Sequence, residues 1–178
     1  MRRPILIHPD PRLKKVCDSV TTVDDDVRRL MDDMLETMYD APGIGLAAPQ
    51  VGITKRIIVM DCAPREAVDG EPEPEPQPIC LANPQVVWSS DEVRDHEEGC
   101  LSIPDIYAPV TRPDIVRVTF LNRDGAEEER EFSGIWSTCV QHEIDHLNGK
   151  LFIDYLSSMR RTMITQKMKK LKKTKQHA

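Results

Sequence analysis

Two histidines four residues apart enclose a glutamate in the run His142-Glu143-Ile144-Asp145-His146. On a helix, residues four apart share a face, so two imidazoles at this spacing can bind one metal ion. Glu143 follows the first histidine directly. Its carboxylate is too far round the helix to share the histidines' position, yet close enough to take a proton from a water that the metal activates. A hydrolytic metal needs a third protein ligand and one open position. Downstream, His177 lies in a basic tail and no glutamate stands in a helical context suited to ligation. Upstream, Cys100 sits in Glu98-Gly99-Cys100-Leu101-Ser102, where its thiolate is a strong soft ligand and Gly99 lets backbone approach closely.

A third segment, Gly43-Ile44-Gly45-Leu46-Ala47-Ala48-Pro49-Gln50, is built of small residues that leave room for a substrate main chain, although such a run taken alone is an ordinary turn. Together and in this order, GIGLAAPQ, EGCLS and QHEIDH resemble the three signature motifs of the peptide deformylases. The similarity extends from Pro11-Arg12-Leu13 to Leu147-Asn148-Gly149-Lys150-Leu151-Phe152. The resemblance implies removal of the formyl group from the N-terminal formyl-methionine of nascent polypeptides, with release of formate. It implies Cys100, His142 and His146 as ligands of one divalent metal ion, and Glu143 as the base that activates water and then returns a proton to the leaving amine. The ion it implies is Fe(II), while Zn(II) or Ni(II), which bind such ligands more tightly, are the ions a purified sample can carry instead. The Gln50 side-chain amide and the Leu101 backbone N–H are implied as donors to the developing oxyanion.

Substrate recognition on this reading is mostly main-chain pairing along Ile44 and Gly45, with Gly99 also in contact. The methionine side chain is expected in a pocket of Ile44, Tyr107, Ile135 and Cys139, of which Ile135 and Cys139 share a helical face with His142. Ordinary core packing would use the same residue types. Tyr107 stands where several bacterial relatives carry arginine, a departure at the rim of the pocket. Glu98 is expected to pair with Arg112 and brace the Cys100 loop.

These motifs require a frame. Val27, Leu30, Met31, Met34, Leu35 and Met38 recur at three- and four-residue steps and predict an amphipathic helix over Asp24 to Asp40. Arg56 to Cys62 reads as a buried strand, and further strands are predicted at Ile79 to Leu81, Gln85 to Ser89, Val116 to Asn122 and Glu128 to Phe132, the last two joined at Asp124-Gly125. Between the first two, residues 63–78 hold alternating Glu and Pro from Glu71 to Pro76, which excludes helix and sheet and predicts an extended, solvated loop. Ile135 to Leu147 returns to helical spacing, with Gly149 placed for a left-handed cap. A second long helix is predicted from about Ser157, with Ile164, Met168 and Leu171 on one face. The expected fold is α+β in one compact domain, with mixed or antiparallel sheets around a central metal-binding helix and a long C-terminal helix.

Composition narrows the class. At 178 residues the chain suits one domain with a substantial core, and with aromatics at 4% that core must be built from Leu, Ile, Val and Met. No run approaches the ~20 apolar residues of a membrane span, and the first residues lack a secretory signal core, so a cytoplasmic protein with no membrane contact is expected. Five scattered cysteines do not suggest a disulfide framework. Residues 159–178 carry eight Lys or Arg and no acid, leaving 16 basic against 30 acidic residues elsewhere. The division expected is therefore a catalytic domain over 1–158 and a basic helical tail over 159–178 that docks on the ribosome near its exit site. Two other readings compete: a zinc peptidase with the same two-histidine helix, against which Cys100 speaks, and a ribosome- or RNA-binding module, which accounts for the tail alone.

Overall fold

The run Ile57-Ile58-Val59-Met60 has no polar face, and in the computed structural model, which describes residues 1–177, all four side chains are buried. Successive strand residues point to opposite sides. Ile58 and Met60 pack with Cys139, Val140, Ile144 and Leu147 of one helix, while Ile57 and Val59 pack with Leu30, Met31, Met34 and Met38 of another. A sheet thus forms the middle layer between two helices.

The elements in chain order are α1 (Asp25–Asp40), β1 (Gly45–Ala47), β2 (Ile57–Met60), β3 (Ile79–Ser89), β4 (Val93–Cys100), β5 (Ile103–Pro113), β6 (Ile115–Leu121), β7 (Glu127–Ser133), α2 (Ile135–Leu147) and α3 (Ser158–Gln176). One sheet runs β1-β2-β3-β6-β7 and a second is the β4-β5 hairpin; every ladder is antiparallel. The α+β expectation holds. So do both predicted long helices: α1 is capped by the Asp24 carboxylate accepting from the Val27 N–H at 2.9 Å, and α3 by Ser157. Gly149 takes the left-handed conformation beyond α2, with φ 74°.

Two expectations are corrected, and one element went unpredicted. The segment read as a simple turn from Gly43 contains β1 and then a single 3-10 turn over Ala48–Val51. The two short strands predicted around residue 84 are one strand, β3, which bends at Asn83, where φ is 50°. The Asn83 side chain holds that bend, accepting from the Val20 N–H at 2.7 Å and donating to the Val20 carbonyl at 2.8 Å. The β4-β5 hairpin was not predicted at all. Its positions facing the protein in β4 are Arg94, His96 and Glu98, so no apolar alternation marks it.

The basic helix is part of the packed body through one face. Ile164 and Met168 are buried against Ile103, Ala108 and Val110 of β5 and against Leu151, Phe152 and Ile153. An N-terminal strap ties these parts together: the Leu6 N–H donates to the Gln50 carbonyl at 2.8 Å, the His8 N–H to the Ser102 carbonyl at 2.9 Å, and His8 Nε2 bonds Thr165 Oγ1 at 2.8 Å. Residues 63–78 are without helix or strand, as expected, and Asp61 anchors both ends by accepting from the Ala63 and Gln77 N–H groups at 3.0 Å.

Burial drives the His8 imidazole down from 6.5 to about 4. Its folded pKa is below its unfolded one, so the unfolded chain binds the extra proton between these values. The contribution of neutral His8 is complete above pH 6.5 and is lost as pH falls through 4. Replacing His8 by Gln should flatten the fall in unfolding free energy between pH 7 and 4 by about 1–3 kcal/mol, measured by urea titration at each pH. Identical slopes for both proteins would contradict this assignment.

Candidate metal centre and substrate cleft

Helix α2 presents Cys139, His142, Glu143 and His146 at steps of three and four residues, hence along one face. The face is buried: His146 is fully enclosed, and His142 and Glu143 are nearly so. Cys100 ends β4, where the hairpin turns through Leu101 and Ser102, and this brings its Sγ to 3.4 Å from His146 Nε2. One ligand atom each from Cys100, His142 and His146 lies within 4.8 Å of the others. A thiolate and two imidazoles at that separation suit a single transition-metal ion.

The surroundings favour a cation. His142 Nδ1 donates to Glu98 Oε1 at 2.8 Å, which leaves Nε2 as the ligand atom. Burial lowers the His142 pKa, but its bonds to Cys100 and Glu98 outweigh this and hold it well above its ordinary value. His146 is held well below its ordinary value by burial and by the charge of His142, so its lone pair stays available. Glu143 Oε2 is buried with no hydrogen-bond partner among the described residues, and burial pushes the carboxyl up to about 7; a cation beside it pulls the other way. Glu143 Oε1 lies 3.9 Å from His142 Nε2.

Around this centre is a cleft of about 420 Å³. Its lining includes all the expected substrate residues, Ile44, Gly45, Gly99, Tyr107, Ile135 and Cys139, together with Gln50, Cys100, Leu101, His142 and Glu143. His146 lies behind them. Gly45 permits a close approach: a Cβ there would fall 2.7 Å from Glu143 Oε1 and 2.8 Å from Cys139 Sγ. Gln50 is held in one orientation, because its Oε1 accepts from the Ala47 N–H at 2.9 Å. Its Nε2 therefore faces Ser102 Oγ at 3.1 Å and Cys100 Sγ at 3.5 Å.

The fold agrees with the comparisons. The sequence profile of the polypeptide deformylase family matches residues 2–162. The chain belongs to that family. It is 54% identical over 171 residues to the peptide deformylase of Methylocella silvestris, covering 96% of this chain and 85% of that one. It is 53% identical over 173 residues to that of Rhizobium meliloti, covering 97% and 95%. Among solved structures, the peptide deformylase from Ehrlichia chaffeensis superposes with a TM-score of 0.88 at 39% identity over 98% of this chain and 99% of that one.

Within this deformylase framework, the expected Glu98–Arg112 pair is present and reaches further than the sequence indicated. Arg112 donates from Nε to Glu98 Oε2 at 2.6 Å and from Nη2 to Oε1 at 3.0 Å, while its Nη1 donates to Asp145 Oδ2 at 2.8 Å. The contacts of Ser102 with Gln50, and of Asp145 with Arg112, were not foreseen. Both residues stand inside quoted motifs, so adjacency to a ligand was the available signal. Pro42, Gly43 and residues 103–106 also line the cleft, and nothing in the sequence marked the latter, since their hairpin went unpredicted.

Arg112 is buried with its two carboxylates, so truncating it strands charge that the protein cannot solvate. Arg112→Met should cost about 3–5 kcal/mol of stability and weaken metal retention roughly 10–100-fold through misplacement of His142. Chelator competition measures the latter. A double-mutant cycle with Glu98→Gln should show coupling above about 1 kcal/mol; additivity would refute the brace.

Proposed function

We propose that the cleft removes the formyl group from N-terminal formyl-methionine, releasing formate, with Cys100, His142 and His146 holding the ion and Glu143 moving the proton. The observation that carries this reading is the convergence of three ligand atoms within 4.8 Å beside a buried carboxylate oxygen that has no partner. An ion bound there supplies Lewis acidity and brings the pKa of water down towards neutrality. Glu143 Oε2 then accepts the proton of the attacking water and returns it to the nitrogen of the departing amine. Gln50 Nε2, fixed by its carbonyl's bond to Ala47, and the Leu101 backbone N–H are the donors for the oxygen of the formyl group as charge collects on it. Because the Gln50 amide is already oriented, it needs no reorganisation during the reaction.

The rest of the cleft binds. Ile44 and Gly45, at the outer strand of the five-stranded sheet, pair with the substrate main chain, with Gly99 on the other side. Ile135 and Cys139 lie on the α2 face that bears the ligands and receive the methionine side chain, with Ile44 and Tyr107 at the mouth. Main-chain pairing explains tolerance of sequence beyond the methionine, as an enzyme acting on many new chains requires. We assign Fe(II) as the ion in the cell. That choice follows the family, since the ligand set alone would satisfy zinc. All five cysteines are free, which suits the reducing cytoplasm. No described helix is long and apolar enough to cross a membrane. The lysines on the outward faces of α3 are assigned to ribosome docking, supported by the +8 charge of residues 159–178.

Glu143→Ala should keep its metal in an anaerobically prepared sample yet lose about 10²–10⁴-fold in formate release from a formyl-Met peptide. Retained activity would remove Glu143 as the base. Hydrolysis of an internal bond in an unblocked peptide, with the formyl peptide untouched, would overturn the deformylase reading in favour of a peptidase. For the helix, truncation would uncover the core beneath Ile164 and Met168, so charge reversal is the cleaner test. Reversing Lys170, Lys173 and Lys175 to Glu should weaken co-sedimentation with ribosomes, with the difference shrinking as salt rises. Equal pelleting at low salt would rule out docking through this face.

A further inference from the structure

Beside the cleft lies a second concavity of about 320 Å³, bounded by Asp105, Ile106 and Tyr107 on one side and by α3 on the other. Asp105, Ile106 and Tyr107 also line the cleft, so the two share a wall, and a polypeptide leaving the cleft across Tyr107 passes directly into this groove. The α3 side is a single helical face, Arg160, Met163, Ile164 and Lys167, at steps of three and four residues. Arg160 Nη2 donates to the Tyr107 carbonyl at 3.3 Å, fastening the helix to the rim.

The chemistry of the walls points to an occupant. Tyr107 and Met163 are 61% and 66% exposed, large apolar side chains left in solvent on either side of the groove. An unbranched thioether and an aromatic ring adapt to side chains of many shapes. Arg160 and Lys167 contribute two positive charges against the single carboxylate of Asp105. They stand on a body that is otherwise strongly acidic, so this is a local positive field at the cleft's exit.

We propose that this groove is an extended substrate subsite, which receives the stretch of nascent polypeptide following the residues bound in the cleft and favours acidic side chains there. The inference rests on the deformylase reading, which places the substrate's amino end at the metal centre and sends the remainder outwards. An extended chain advances roughly 3.3 Å per residue, so a formyl tripeptide spans about 10 Å, and on this proposal the residues after it are the ones that meet α3. Selectivity in the groove would therefore be invisible to short substrates.

Peptides beginning formyl-Met-Ala-Ser test this, either ending there or extended by six residues of alternating Ser with Glu, Gln or Lys. The readout is kcat/KM for formate release, expressed for each enzyme as the ratio of extended to short peptide. At low ionic strength the Glu extension should raise that ratio roughly three- to tenfold over the Lys extension, with Gln between, since each exposed ion pair contributes at most a few-fold and is screened by salt. R160E/K167E should reverse the order. K169E/K173E, which changes net charge equally on the opposite face of α3, should leave it in place. Equal ratios for the three extensions, or a preference that survives R160E/K167E or is lost equally in K169E/K173E, would overturn the subsite. Failure to hydrolyse even the short formyl peptide would instead overturn the reading on which it rests.

Discussion

One buried carboxylate holds the arrangement together. Glu98 accepts from His142 Nδ1 through one oxygen and from Arg112 through both, two residues before Cys100 on the same strand. A carboxylate with so little solvent is tolerable only because each oxygen faces a donor, and Arg112 is in turn shared with Asp145 on the helix that carries the histidines. Burial alone would raise the Glu98 pKa; its bonds to His142 and Arg112 reverse that and keep it charged. The candidate ligand on the hairpin and those on α2 are therefore set relative to each other by charge-assisted hydrogen bonds, which have strict geometry, and the apolar core beneath supplies the cohesion.

That division explains what could be read in the sequence. The apolar side of the fold was legible because it is periodic: the α1 methionines, the uninterrupted Ile57–Met60 and the helical spacing from Ile135 each correspond to a face buried against another layer. The hairpin that supplies Cys100 was not, because its protein-facing positions in β4 are Arg94, His96 and Glu98, chosen for partners in space and not for burial in oil. Pattern reasoning sees periodic hydrophobicity; a strand whose inner face is a polar network reads as a loop. Asn83 is a related case, since its bend is held by Val20, more than sixty residues away in the chain.

The site itself was more legible than its support. His142, Glu143 and His146 declare their relation by spacing on one helix, and Cys100 followed from the need for a third ligand. What local sequence cannot supply is orientation. That Gln50 turns its amide towards Cys100 depends on the Ala47 N–H and on Ser102, and that the Gln50 and Ser102 backbones sit together depends on the strap at Leu6 and His8. The candidate site is encoded twice, by short motifs that mark its residues and by contacts between distant segments that aim them.

The position of β1 at the outer margin of its sheet carries a consequence of timing. Three residues of edge strand, with Gly45 pressed against Glu143, can pair only with a partner whose own backbone is extended and unpaired. An amino terminus already drawn into a helix or a sheet has spent those groups and cannot enter. With the substrate main chain paired there as proposed, the architecture would read the folding status of its client before it reads any side chain, and would confine the reaction to amino ends that are not yet folded.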